Sequence, residues 1–219
     1  RHCIYRGINS TDLGAHSKHF SCVSYEHKMP LHQYVVLCYS KRFTFKSLNQ
    51  DGLSYNLDDV LAGNSNMRPG VWGLLQDEQK KMTLRIIGVH LKAHADGRAL
   101  RLKQVDALSR RLSNESEQFP TIVLGDFNAH ENDKLDFEGI FSKSNFPMSL
   151  ARYGEEFSYR TLQTSGAYDQ AYLSSEIIYS AMVKGHCNNI NNLGKRFGQI
   201  DFYNRTISDH CPVVYNLKF

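Results

Sequence analysis

The feature that most constrains this chain is a strand–helix–strand pattern whose strands end on polar residues. Leu84-Arg85-Ile86-Ile87-Gly88-Val89-His90 is short, apolar and rich in β-branched residues, the composition of a buried strand. Over residues 99–112, Leu102, Val105, Leu108 and Leu112 recur at helical spacing on one face. Arg98, Arg101, Lys103, Arg110 and Arg111 fall mostly off that stripe and predict a solvated basic face. Thr121-Ile122-Val123-Leu124 is the next strand, followed at once by Gly125-Asp126. Residues 34–39 and 212–217 are further strand-like runs, and 174–183 predict a short helix. Residues 51–70 and 132–159 carry Gly, Asn, Ser and Asp and predict loops. Many strands and few helices predict one mixed α/β domain over residues 1–219, with sheets packed face to face and helices outside.

Composition narrows the class without choosing a function. A hydrophobic content of 41%, with Gly 15 and Pro 5, excludes disordered, collagen-like and low-complexity chains. The charge is 26 minus 22, or +4, which tolerates a polyanionic partner but does not require one. No apolar run is long enough to cross a membrane as a helix. Cys3, Cys22, Cys38, Cys187 and Cys211 show no zinc-type spacing; one or two bridges or free buried thiols all fit. Asn9, Asn114 and Asn204 begin glycosylation triplets, which are common by chance and leave the compartment open.

Five short segments carry groups able to do chemistry. Gly125-Asp126-Phe127-Asn128 sets a carboxylate and a carboxamide two residues apart at a strand exit, oxygen donors of the kind that suit Mg²⁺ or Mn²⁺. The same residues are turn formers. Asp209-His210 pairs a possible metal ligand with a group that moves protons near neutral pH, ahead of the last strand. His90 caps a strand, where a histidine is commonly structural. Asp169 lies in a strand-like run, and if buried it needs a partner, for which a histidine is the natural candidate. Arg68, before Pro69, can fork onto a phosphate or simply face water from a turn.

Taken in order, these segments resemble the endonuclease/exonuclease/phosphatase superfamily, the group around deoxyribonuclease I. The resemblance runs over residues 31–219, through HQYVVLCYSKRF at 32–43, Arg68-Pro69, GVHLKA at 88–93, GDFNA at 125–129, GAYDQAYLS at 166–174 and SDHCPVV at 208–214. It implies a two-sheet α/β sandwich with a metal-dependent phosphoesterase site in the strand-end loops. By position, Asp126 and Asn128 orient phosphate, water and metal, and Asp209 is a further metal or water ligand. His90 and His210 flank the scissile phosphate, Asp169 holds His210, and Arg68 contacts phosphate. The implied cofactor is Mg²⁺, or Mn²⁺ or Ca²⁺ in its place.

The front of the chain departs from that pattern. Members open with an Asn-bearing strand, a helix, and a strand ending in a Gln-Glu pair whose Glu holds the metal. Nothing before residue 31 matches: Ile8-Asn9 has no apolar strand around it, and Glu26 has none leading into it. The N-terminal part therefore reads as truncated. His32 takes the place of the Glu that pairs with the first catalytic His. A fragment of a longer enzyme, a short form with altered metal binding, and a binding protein without catalysis are the three explanations.

Within the superfamily, the inositol phosphatase motif is absent, since Asn128 is followed by Ala129-His130. The Trp-rich stretch of abasic-site endonucleases is absent too, since the only Trp is Trp72. The YDQAYLS run with Arg68-Pro69 resembles secreted deoxyribonucleases and toxin-like nucleases. The expectation is hydrolysis of a DNA or RNA phosphodiester, with nucleic acid as partner. A phosphatase or phospholipase C activity is the competing class.

Overall fold

The computed structural model describes residues 20–24, 35–47, 70–115, 117–152, 158–160, 165–183, 210 and 213–218. The apolar runs become strands: β1 Phe20–Ser24, β2 Val36–Ser40, β3 Thr44–Ser47, β4 Val71–Asp77, β5 Met82–His90 and β6 Thr121–Asp126. Helix α1, Arg98–Ser113, joins β5 to β6, and helix α2, Glu131–Ser142, follows β6. Then come β7 Met148–Leu150, β8 Tyr159–Arg160, β9 Ser165–Gly166, β10 Asp169–Ser174, β11 Ile178–Val183 and β12 Val213–Lys218.

A six-stranded sheet in the order β3-β4-β5-β6-β10-β7 forms the centre. Only β5 and β6 run parallel among its pairs, joined by the α1 crossover, and both are buried on two faces, as parallel strands are. On one face, Trp72, Ile87, Val89, Val123 and Tyr172 pack against Val105, Leu108 and Leu112 of α1 and Phe137 and Phe141 of α2. On the other, Leu84, Ile86, Ile122, Ala171 and Leu173 pack with Leu37 of β2, joined by half-buried Val23, Tyr39, Tyr215 and Leu217. The second layer is thus built from two antiparallel pairs, β1-β2 and β11-β12. The sheet-on-sheet α/β arrangement expected from the sequence is the one observed.

Four expectations need correction. Residues 174–183 hold strand β11 and not a helix, because six residues pair in register with β12, from Ile178 opposite Lys218 to Val183 opposite Val213. The 132–159 stretch is not all loop: it contains α2 and β7. The Asn and Asp that suggested turns sit in the first turn of α2, where a reciprocal bond pair between His130 and Asp133 starts the helix. Arg101 does not face water but is fully buried. Last, a strand does lead into Glu26: β1 ends at Ser24, two residues before it.

Cys22 and Cys38 are direct partners across β1 and β2 and form a disulfide, with sequence separation 16. Replacing both by serine removes a constraint on the unfolded chain. The expected loss is about 3 kcal/mol for a loop of this size, read as a lower urea midpoint with an equal or steeper slope.

Candidate active site

The site is a row of residues at one end of the central sheet. β5 and β6 end side by side, so His90 is the register partner of Asp126. β10 runs the other way and begins there, so Asp169 is the partner of Asp126 on its other side. Three side chains far apart in sequence are placed together by register alone. Outside the row, His210 reaches across it from the last part of the chain.

Asp126 is the hub. Its Oδ2 lies 3.2 Å from His90 Nε2 and 3.8 Å from His210 Nε2. Its Oδ1 accepts the Asn128 N–H at 2.8 Å. His210 Nδ1 is 2.6 Å from Asp169 Oδ2, a bond that fixes the ring and leaves Nε2 on the Asp126 side. The side chains of His90, His210, Asp126 and Asp169 are 23%, 20%, 14% and 25% exposed, so a solute can reach all four. Burial pushes the Asp126 carboxyl up, but the hydrogen bond and charge of His90, the charge of His210 and the Asn128 N–H outweigh it and hold it below the usual range. Burial raises Asp169 above its ordinary value despite the His210 bond, and the Asp126 charge adds to the rise.

The backbone is shaped to hold this row. Gly125 has φ +139°, and a Cβ there would sit 2.0 Å from the Val89 carbonyl oxygen. Asn128 has φ 47°, a left-handed conformation that Asn tolerates better than most residues. Its Nδ2 donates to the Leu91 carbonyl at 3.1 Å, and the Leu91 N–H donates to the Asp126 carbonyl at 2.9 Å, tying the two strand exits together. Ser158 Oγ accepts the Asp169 N–H at 2.8 Å; nothing in its sequence setting marked it. Gly125→Ala should cost about 1–3 kcal/mol from backbone strain before the Val89 clash is added. Chemical denaturation measures it, and a loss under 0.5 kcal/mol, by the same strain scale of about 1–3 kcal/mol, contradicts the account.

The structure brings together five of the expected residues: His90, Asp126, Asn128, Asp169 and His210. Arg68, Asp209, Glu26 and His32 lie outside the described residues. The oxygen donors Asp126 and Asn128 match a hard divalent cation in type. Among the described residues, no group of three or more His, Cys, Asp or Glu side chains is arranged to hold a metal. No helix among the described residues is long and apolar enough to cross a membrane.

No protein-family model and no curated protein matches the chain. Solved structures do. An endonuclease/exonuclease/phosphatase protein of Bacteroides vulgatus superposes with a TM-score of 0.66 at 15% identity, over 95% of this chain and 80% of that one. A humanized D. rerio TDP2 gives 0.67 at 11% identity, over 95% and 80%. The human Nocturnin catalytic domain, solved with bound sulfate, gives 0.59 at 15% identity, over 96% and 78%. With both sheets, the α1 crossover and the strand-end row in place, the chain has the deoxyribonuclease I-like α/β fold of the endonuclease/exonuclease/phosphatase structures.

Proposed function

We propose that the chain is a divalent-metal-dependent phosphodiester hydrolase that cleaves nucleic acid, DNA or RNA. One observation carries the reading: two imidazoles and two carboxylates converge, solvent-reachable, on three adjacent strand ends. Asp169 holds His210 through Nδ1, so its Nε2 is the atom that exchanges a proton with the ester oxygen. His90 stabilises a phosphoryl oxygen from the other side of Asp126. Asp126 and Asn128 orient the attacking water, and Asn128 and Arg68 contact the phosphate. Asp126, Asn128 and Asp209 are the residues that would hold the cation. Mg²⁺, or Mn²⁺ or Ca²⁺ in its place, would supply positive charge beside the phosphoryl oxygen and acidify the attacking water.

The polymer substrate draws support from two sides. The net charge of +4 suits a polyanion. D. rerio TDP2, which has this fold at 12% identity, has been solved with a single-strand DNA product. The fold also serves a mannosyl-6-phosphatase of Bacteroides thetaiotaomicron, at 13% identity, so a small phosphoester is the competing substrate. Plasmid nicking with Mg²⁺, run beside nitrophenyl phosphate and a phospholipid panel, separates them. Nicking without monoester or lipid turnover supports the proposal. Turnover of the small esters alone replaces nuclease with phosphatase or phospholipase, and no turnover of any kind leaves a binding protein.

A further inference from the structure

Arg101 and Asp133 form an ion pair with side chains 0% and 1% exposed. Arg101 Nε and Nη2 donate to Asp133 Oδ2 at 3.1 and 2.7 Å. The same guanidinium sends Nη1 to the carbonyls of Lys92 and His94, at 2.9 and 2.6 Å. Asp133 Oδ2 in turn accepts the His130 N–H at 3.2 Å, and Arg98 Nε lies 2.9 Å from Oδ1. One buried unit therefore grips two loops, residues 91–94 after β5 and residues 127–130 after β6. These loops directly follow His90 and Asp126.

Each loop holds one non-glycine residue in the left-handed region, His94 at φ 72° and Asn128 at φ 47°. Such backbone is strained and persists where the surroundings over-determine it. A buried ion pair is a poor device for stability as such, because apolar replacements of similar volume are often neutral or stabilising. It is a good device for fixing carbonyls and an N–H at set positions, since Arg is a rigid fork with donors to spare.

We infer that Arg101 and Asp133 are positioning residues, which hold the His90 and Asn128 loops at the spacing the reaction needs. The inference rests on reading the His90–Asp126 cluster as a phosphoester-cleaving site. It is tested by separating positioning from stability. Arg101→Met or Asp133→Leu alone strands a buried charge and can fail to fold. The double variant R101M/D133L removes both charges, and R101K keeps the charge but loses the fork. Each is assayed for urea stability, for kcat and KM on an oligonucleotide, and for amide exchange at Leu91 and Asn128. The expected result is a folded double variant with a modestly lower urea midpoint from the lost α2 cap, kcat down about 10- to 100-fold, KM within about threefold, and faster exchange at both amides. R101K is expected to fold, with kcat down about tenfold and the same amides loosened. Wild-type kcat and wild-type amide protection in either folded variant overturns the inference. If the wild-type chain cleaves no phosphoester, the functional reading fails, and exchange at Leu91 and Asn128 still decides the positioning role.

Discussion

His210→Ala is expected to lower kcat by about 10²- to 10⁴-fold while the domain stays folded, the range for loss of a positioned acid–base group. The argument is geometric. His210 Nδ1 is bound to Asp169 at 2.6 Å, and its other nitrogen lies on the Asp126 side of the site. That is an imidazole with one tautomer selected and its Nε2 turned toward Asp126. Its side chain is 20% exposed and fills no part of the two main core clusters, so removing it leaves little void. Asp169→Asn should reproduce part of the loss, because the amide no longer favours the imidazolium, and the two losses should not add. Steady-state kinetics with circular dichroism checks both. More than a third of wild-type kcat in the His210 variant sinks its assigned role, given the expected 10²-fold minimum.

Much of this site was legible as strand endings, and much of the rest depended on register. His90, Asp126 and Asp169 each stood at the edge of an apolar run, which is where rigid scaffolds present chemistry. That they form one row follows from β5–β6 and β6–β10 pairing, which no local pattern encodes. The burial of Arg101 escapes the sequence pattern for a related reason. Helical periodicity identifies the stripe of Val105, Leu108 and Leu112 on the sheet, but α1 also packs on α2, whose Asp133 pairs with the buried Arg101 off that stripe. Strand β11 was misread because its partner, β12, begins at Val213, and a non-local pairing decides against a weak local preference. Asp133 looked like a turn former and is one end of a helix cap, the same hydrogen-bonding habit put to another use.

Removal of divalent cations should abolish hydrolysis, and Glu26→Gln should raise the Mg²⁺ needed to restore it. Lewis-acid stabilisation of the phosphoryl oxygen is worth several kcal/mol, so exhaustive EDTA dialysis should reduce the rate by on the order of 10²-fold or more. Mg²⁺ or Mn²⁺ should restore it, since Asp126 and Asn128 offer oxygen and no thiolate. Asp209, already assigned to the cation, and Glu26 both lie outside the described residues, and Glu26 is the further carboxylate to test. On sequence, Glu26 lies too near the strand-like run at 34–39, and no strand leads into it. β1 now does: Phe20–Ser24 pairs with β2 along its whole length, and the chain reaches Glu26 two residues later. One charge interaction near a protein surface is worth about 1–4 kcal/mol, so the Mg²⁺ concentration for half-maximal rate should rise at least about fivefold in the Glu26 variant. The rate at saturating Mg²⁺ should change far less, because the groups that move protons are untouched. A titration with unchanged half-maximal Mg²⁺ removes Glu26 from the ligand set, and full activity after EDTA dialysis removes the metal from the mechanism.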